Sequence, residues 1–217
     1  MTGRLIVCVL CCLATVSTFA ADSASGGTEC CASWKTLFNG QDLTGWTNAR
    51  PGQKINWVVE DGAMTNTPKD KDIATTEKFQ DFDLQLEYKT VAKGNSGVYL
   101  RGRIELQVLD SFGKTELSTG DDGGIYGQHA PLVNASKPAG EWNVLEATFV
   151  GDTLTAKLNG KLIHDKVKIT DLTGGALPGS VTDAGPLMLQ GDHGKVWYRN
   201  IRVRQIKPAA ECKPANK

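Results

Sequence analysis

Apolar and polar residues alternate with period two in one segment of the chain after another. Phe82, Leu84, Leu86 and Tyr88 fall on one face, and Asp83, Gln85, Glu87 and Lys89 fall on the other. Period two is the signature of a strand with one face in a core. Further strand candidates are "INWVVEDGAMTN", with a tight Asp61-Gly62 turn, "GPLMLQG" and "VWYRNIRVRQI". The run "WNVLEATFVGDTLTAKLNGKLIHDK" carries two hairpin dipeptides, Gly151-Asp152 and Asn159-Gly160, which divide it into a meander of three strands. No amphipathic stretch keeps helical spacing for three turns. The chain therefore reads as all-β, its one-sided strands packing as two antiparallel sheets face to face. Two long irregular segments, about 111 to 141 and 165 to 184, are expected to serve function, since loops of that length in a compact sandwich are seldom idle.

One segment departs from the usual Thr, Lys and Ser of a solvated strand face. In "NSGVYLRGRIELQVLD", residues 95 to 110, one set is Val98, Leu100, Ile104, Leu106 and Val108, broken at Gly102. The opposite set is Tyr99, Arg101, Arg103, Glu105 and Gln107. Read as one strand over 98 to 109, it places a ring, two guanidiniums, a carboxylate and an amide in a row. A sugar groove needs such planar hydrogen-bonding groups and rings. The competing reading is a cross-strand ladder of surface ion pairs, whose small energetic value argues against it.

Lys+Arg and Asp+Glu both number 24, a formal net charge of zero. No basic field is available for nucleic acid or an anionic membrane, so a neutral partner fits better. The opening "MTGRLIVCVLCCLATVSTFA" has an early Arg4, an apolar run from Leu5 to Val16 and small residues at Thr18 and Ala20. This pattern predicts a signal peptide cleaved near Ala20 and a secreted or periplasmic product; it is too short and wrongly flanked for a membrane span. Residues 21 to 33 read as a flexible leader, 34 to 206 as the sandwich domain, and 207 to 217 as a tail. Cys30, Cys31 and Cys212 remain after cleavage, and a bridge from Cys212 to either of the others would tie the two ends together.

The segments "LFNGQDLTGW", "NSGVYLRG", "IELQVLD", "GGIYG", "GEWNVLEATFVGDTLTAKLNGKLI", "GPLMLQGDHGKV" and "YRNIRV" occur in the order and spacing of the 3-keto-disaccharide hydrolase domain family. The resemblance covers about residues 34 to 206. That family, long catalogued as a domain of unknown function, is similar in fold to the concanavalin-like lectins and glucanases. The resemblance implies a jelly-roll β-sandwich with a concave ligand groove and an oligosaccharide or glycoside substrate. Physically, "FNGQDLTGW" reads as two turns with Phe38, Leu43 and Trp46 plugging one end of the sandwich.

Three functions follow from these residues. The first is hydrolysis of glycosides oxidised at C3, where the ketone acidifies the C2 proton, the aglycone leaves by elimination and water adds back. Arg101 would stabilise the enolate oxygen, and either Glu105 or His193, in "LQGDHG", would be the base. Tyr99, Arg103, Gln107, Asn95, Gln190 and His129 would bind substrate. The second is a retaining glycosidase, since Glu105, Gln107 and Asp110 have the spacing of the E-x-D-x-x-E strand of laminarinase-like glucanases, with Gln and Asp as departures. The third is a binding module without turnover. No cofactor is called for, and Glu105 with His193 is the pair that would hold a divalent ion if one is used. His164 reads as an exposed strand-end residue and Trp142 as core.

Overall fold

A computed structural model describes residues 32–52, 54–67 and 70–207. Cys30, Cys31, Cys212 and the signal segment lie outside the described residues. No helix is present among the described residues, and none could cross a membrane. Among the described residues thirteen strands form two antiparallel sheets. The larger is built on β6 (Phe82–Thr90), β9 (Asn143–Val150), β10 (Thr153–Leu158), β11 (Lys161–Lys168) and β13 (Val196–Gln205), with β3 (Val58–Glu60), β4 (Ala63–Thr65) and β1 (Lys35–Thr36) at its other end. The smaller runs β2 (Trp46–Asn48), β5 (Ile73–Thr75), β12 (Met188–Leu189), β7 (Asn95–Leu100) and β8 (Ile104–Leu109).

The turn dipeptides do what their chemistry allows. Asp61 and Gly62 take φ of 49° and 75°, and Asn159 and Gly160 take 51° and 77°, the left-handed pairs that match hairpin twist. Between the sheets, Leu84, Leu86 and Phe149 meet Val98, Leu100, Ile104 and Leu106 in one apolar core. Phe38 and Trp46 are buried in it and Leu43 packs against it, as the end plug requires.

Residues 98 to 109 are not one strand. They form the hairpin β7–β8, turning at Arg101 and Gly102, whose φ of 54° and 66° bend the chain back. Arginine seldom adopts that region, so "LRGR" carries no ordinary turn signal. The reversal preserves the alternation, because Tyr99 pairs with Glu105 and Gly97 with Gln107 across the hairpin. Both pairs face away from the core. Trp142 is a further departure: it is half-buried on the outer face of the large sheet, with the Arg199 guanidinium 3.9 Å above its ring. His164 is buried within β11, its Nε2 2.7 Å from the Gly123 carbonyl oxygen.

Candidate active site

Loops cover the outer face of the five-stranded sheet and leave a pocket of about 340 Å³, at the small end of the range for ligand sites. One wall is the segment 173–177. Glu105 N donates to Thr173 Oγ1 at 2.9 Å, Leu177 N donates to the Gly102 carbonyl at 2.8 Å, and Tyr99 Oη donates to the Gly174 carbonyl at 2.8 Å. The opposite wall continues the sheet past β8: Gln107 N donates to Gly124 O, and Tyr126 N donates to Glu105 O at 3.1 Å. This brings the exposed Tyr126 ring to the rim.

Glu105 lies on the floor, 3 % exposed. Its carboxylate rests over Gly97 on the neighbouring strand; a Cβ there would stand 2.2 Å from Glu105 Oε1. Burial is the main reason its carboxyl is pushed up to about 7, with Asp72 and Asp192 adding to the rise while the Tyr99 hydroxyl and His193 oppose it. Burial and then the Glu105 charge push the Tyr99 phenol well above its ordinary range, so it stays a neutral donor. Gln107 Nε2 donates to Asn95 Oδ1 at 2.8 Å, and Gln190 Nε2 reaches Tyr99 Oη at 3.4 Å. Gln190 Oε1 is buried without a partner.

His193 also lines the pocket, half-exposed, with Nδ1 against the Asp192 carboxylate. The sequence reading thus placed Tyr99, Glu105, Gln107, Asn95, Gln190 and His193 in one site, and the pocket unites all six.

Arg101, Arg103 and His129 are elsewhere. Arg101 is 0 % exposed at the hairpin turn, where it donates to the carbonyls of Gln80, Gly151 and Val181 and to Asp81. It cannot meet an enolate in the pocket. Arg103 donates to the Pro178 and Asp183 carbonyls and so holds the loop behind the wall. His129 sits beyond the rim, Nε2 3.2 Å from the Lys168 carbonyl. Asp110 is also absent from the pocket lining; its Oδ2 accepts Lys93 N at 2.9 Å, so no Glu105–Asp110 pair forms.

Sequence reasoning missed Asp72, Arg50, Lys71 and Asp192, which come from short connections flanking β2, β5 and β12. Asp72 accepts Gly191 N at 3.0 Å, and its carboxyl is raised by burial and by Asp192, against the pull of that bond and of Arg50. The only available signal was the charge cluster in "KDKD" and the Asp beside His193. Among the described residues no three His, Cys, Asp or Glu side chains converge as metal ligands, so the Glu105–His193 pair has no third such partner.

A family model described as a 3-keto-alpha-glucoside-1,2-lyase-like domain matches residues 33–204. The chain belongs to this family. A 3-keto-disaccharide hydrolase of Bacteroides thetaiotaomicron is 25% identical over 226 residues, covering 79% of this chain and 78% of the relative. A solved structure from Parabacteroides distasonis, described as a candidate glycosyl hydrolase, is 31% identical and superimposes with a TM-score of 0.70, covering 88% of this chain and 95% of the other. A second such structure from that organism is 26% identical with a TM-score of 0.63, covering 81% of this chain and all of the other. The jelly-roll sandwich is thus shared with these two solved structures.

Proposed function

We propose that the protein is a secreted hydrolase that cleaves glycosides oxidised at C3, by elimination followed by hydration. The observation that carries this reading is Glu105, a carboxyl held in a small polar pocket with its proton affinity tuned near neutral pH. A base acting on a moderately acidic C–H works best when its pKa lies near the working pH. Of the two candidate bases, Glu105 is favoured because it is the one buried on the pocket floor.

Glu105 takes the proton from C2, and the electron pair moves into the C2–C3 bond while negative charge gathers on the C3 oxygen. With Arg101 committed to the hairpin turn, the neutral Tyr99 hydroxyl beside Glu105 is the donor for that oxygen, its one proton turning from the Gly174 carbonyl to the enolate. Collapse of the enolate breaks the C1–O bond, and His193, oriented by Asp192, hands a proton to the departing oxygen. Water then adds across C1 and C2, its hydroxyl to C1 and a proton to C2, leaving a 3-keto sugar and the free alcohol. The net change is hydrolysis.

The test is to incubate the mature protein with a 3-keto glucoside and its unoxidised parent and follow aglycone release. Release should come from the keto compound alone, and Glu105→Gln should slow it by about 10²–10⁴-fold, the scale of a lost acid–base group. Asp110→Asn should retain most activity. Rapid cleavage of the parent by wild type, abolished equally by both carboxylate changes, would instead identify a retaining glycosidase. Saturable binding of sugars with no release from either compound would identify a binding module.

A further inference from the structure

The pocket extends well past its reacting centre. The sheet order sets the positions of its residues: Glu105 and Gln107 lie on β8 and Tyr99 and Asn95 on β7. Gln190, Asp192 and His193 follow β12, Asp72 precedes β5, and Arg50 follows β2. From β5 to β8 there are three inter-strand steps of about 4.8 Å, roughly 14 Å in all. That span exceeds one sugar ring.

The two ends differ in chemistry. Both aromatic rings among the lining residues, Tyr99 and Tyr126, stand at the β7–β8 end with Glu105. The β2–β5 end presents Arg50, Lys71 and Asp72 instead. Arg50 Nη2 donates to the Gly175 carbonyl at 3.2 Å, the residue after the one that Tyr99 holds, so the guanidinium lies along the same wall. Gly175 permits this close passage: its φ is 78°, and a Cβ would stand 2.9 Å from Tyr99 Oη. Cationic donors beside a carboxylate acceptor suit a hydroxyl-rich group, which can accept from the first and donate to the second. An apolar or aromatic group would strip water from these charges and return nothing.

We infer that the β2–β5 end is the subsite for the leaving group, and that Arg50, Lys71 and Asp72 make it selective for a second sugar over an apolar aglycone. This rests on the proposed reading, in which the oxidised ring sits over Glu105. Among the described residues the segment 121–126 pairs along β8 and closes that side, so the departing group extends along the sheet toward β5. His193 and Asp192, between the two ends, fall where the bond to the leaving oxygen would lie.

The experiment compares wild type with the double variant Arg50→Ala/Lys71→Ala, both positions being exposed. Substrates are a 3-keto disaccharide and methyl 3-keto-glucoside, which lacks the second ring. The ratio of kcat/KM for the disaccharide over the methyl glycoside should fall about 10-fold or more, mainly through KM, the scale of one lost charge-assisted hydrogen bond. An unchanged ratio overturns the inference. Calorimetric binding of the two unoxidised parents to the same proteins separates this outcome from failure of the keto-sugar reading. If wild type turns over neither keto substrate, a selective loss of disaccharide affinity in the double variant still supports the subsite, and equal affinities for both sugars still overturn it.

Discussion

Replacing Arg101 with Met should destabilise the protein rather than disable the site. The guanidinium is completely buried and donates to the carbonyls of Gln80, Gly151 at 2.7 Å and Val181 at 2.8 Å, and to Asp81 Oδ1 at 3.0 Å. It also lies 3.9 Å from the centre of the Phe149 ring. These bonds join the β7–β8 turn to three separate segments. Methionine keeps the stem and part of the contact with Phe149 but takes the donor from the carbonyls of Gln80, Gly151, Val181 and Phe149, while Asp81 Oδ1 keeps its bond from Gly151 N. Each unsatisfied buried acceptor costs about 1–3 kcal/mol, partly offset because a guanidinium no longer has to be desolvated. Removing one partner of a buried charge network typically costs about 3–5 kcal/mol, and we expect that range here. Against a total stability of about 5–15 kcal/mol, such a loss is a large share.

Urea unfolding followed by tryptophan fluorescence should show a lower midpoint with an unchanged slope. Activity measured well below that midpoint, per folded molecule, should stay within a few-fold of wild type. Glu105→Gln should behave oppositely, with its midpoint kept and its turnover lost. If Arg101→Met were as stable as wild type yet slower by two orders of magnitude, the assignment of Arg101 to structure would be wrong. In that case the side chain would have to reach the substrate.

Three other outcomes can be checked. Because a general base works only when ionised and the Glu105 carboxyl is pushed up to about 7, kcat/KM on the keto substrate should rise about tenfold per pH unit below that value and stop rising above it; a flat profile from pH 5 to 9 would remove Glu105 as the base. Gly97→Ala should fold normally, since Gly97 does not occupy the left-handed region, but its methyl would displace the Glu105 carboxylate; an activity loss of about tenfold or more with an unchanged melting temperature is expected, and full activity would show that Glu105 needs no such seat. Ala32 N donates to the Gln205 carbonyl at 3.1 Å, which sets the two ends of the described chain side by side; peptide mapping of unreduced protein kept under oxidising conditions should therefore find Cys212 linked to Cys30 or Cys31, and three freely alkylated thiols would count against the bridge.

The fold was legible because its strands alternate cleanly and two of its hairpins turn on Asp-Gly or Asn-Gly chemistry. The site was half legible, and the boundary follows from physics. Alternation alone cannot separate one strand from a hairpin whose turn preserves parity, and the turn here is made by arginine at a positive φ. Glu105, Gln107 and Tyr99 kept their shared face through the reversal, whereas Arg101 and Arg103 were carried off it. The pocket residues missed in sequence, Arg50, Lys71 and Asp72, belong to strands of two or three residues or the links beside them, too short to show a period.

Two polar faces in this chain looked alike as text yet became different things. The ladder of ion pairs weighed against the groove reading does exist, but on the other sheet: Asp83, Gln85 and Glu87 of β6 stand directly opposite Arg204, Arg202 and Arg199 of β13. Their side chains bond at 2.7–2.8 Å, with Arg199 to Glu87, Arg202 Nε to Gln85 and Arg204 Nη2 to Asp83. There each acceptor meets a guanidinium, and the carboxylates among them are neutralised. On β7–β8 the register instead sets Glu105 opposite Tyr99, and Gln107 opposite Gly97. Across the strand pair a tyrosine rather than a guanidinium meets the carboxylate, and burial lifts its proton affinity toward neutrality. What separates a structural face from a reactive one is therefore the partner across the strand pair, and that partner is assigned by register, which only the turn determines.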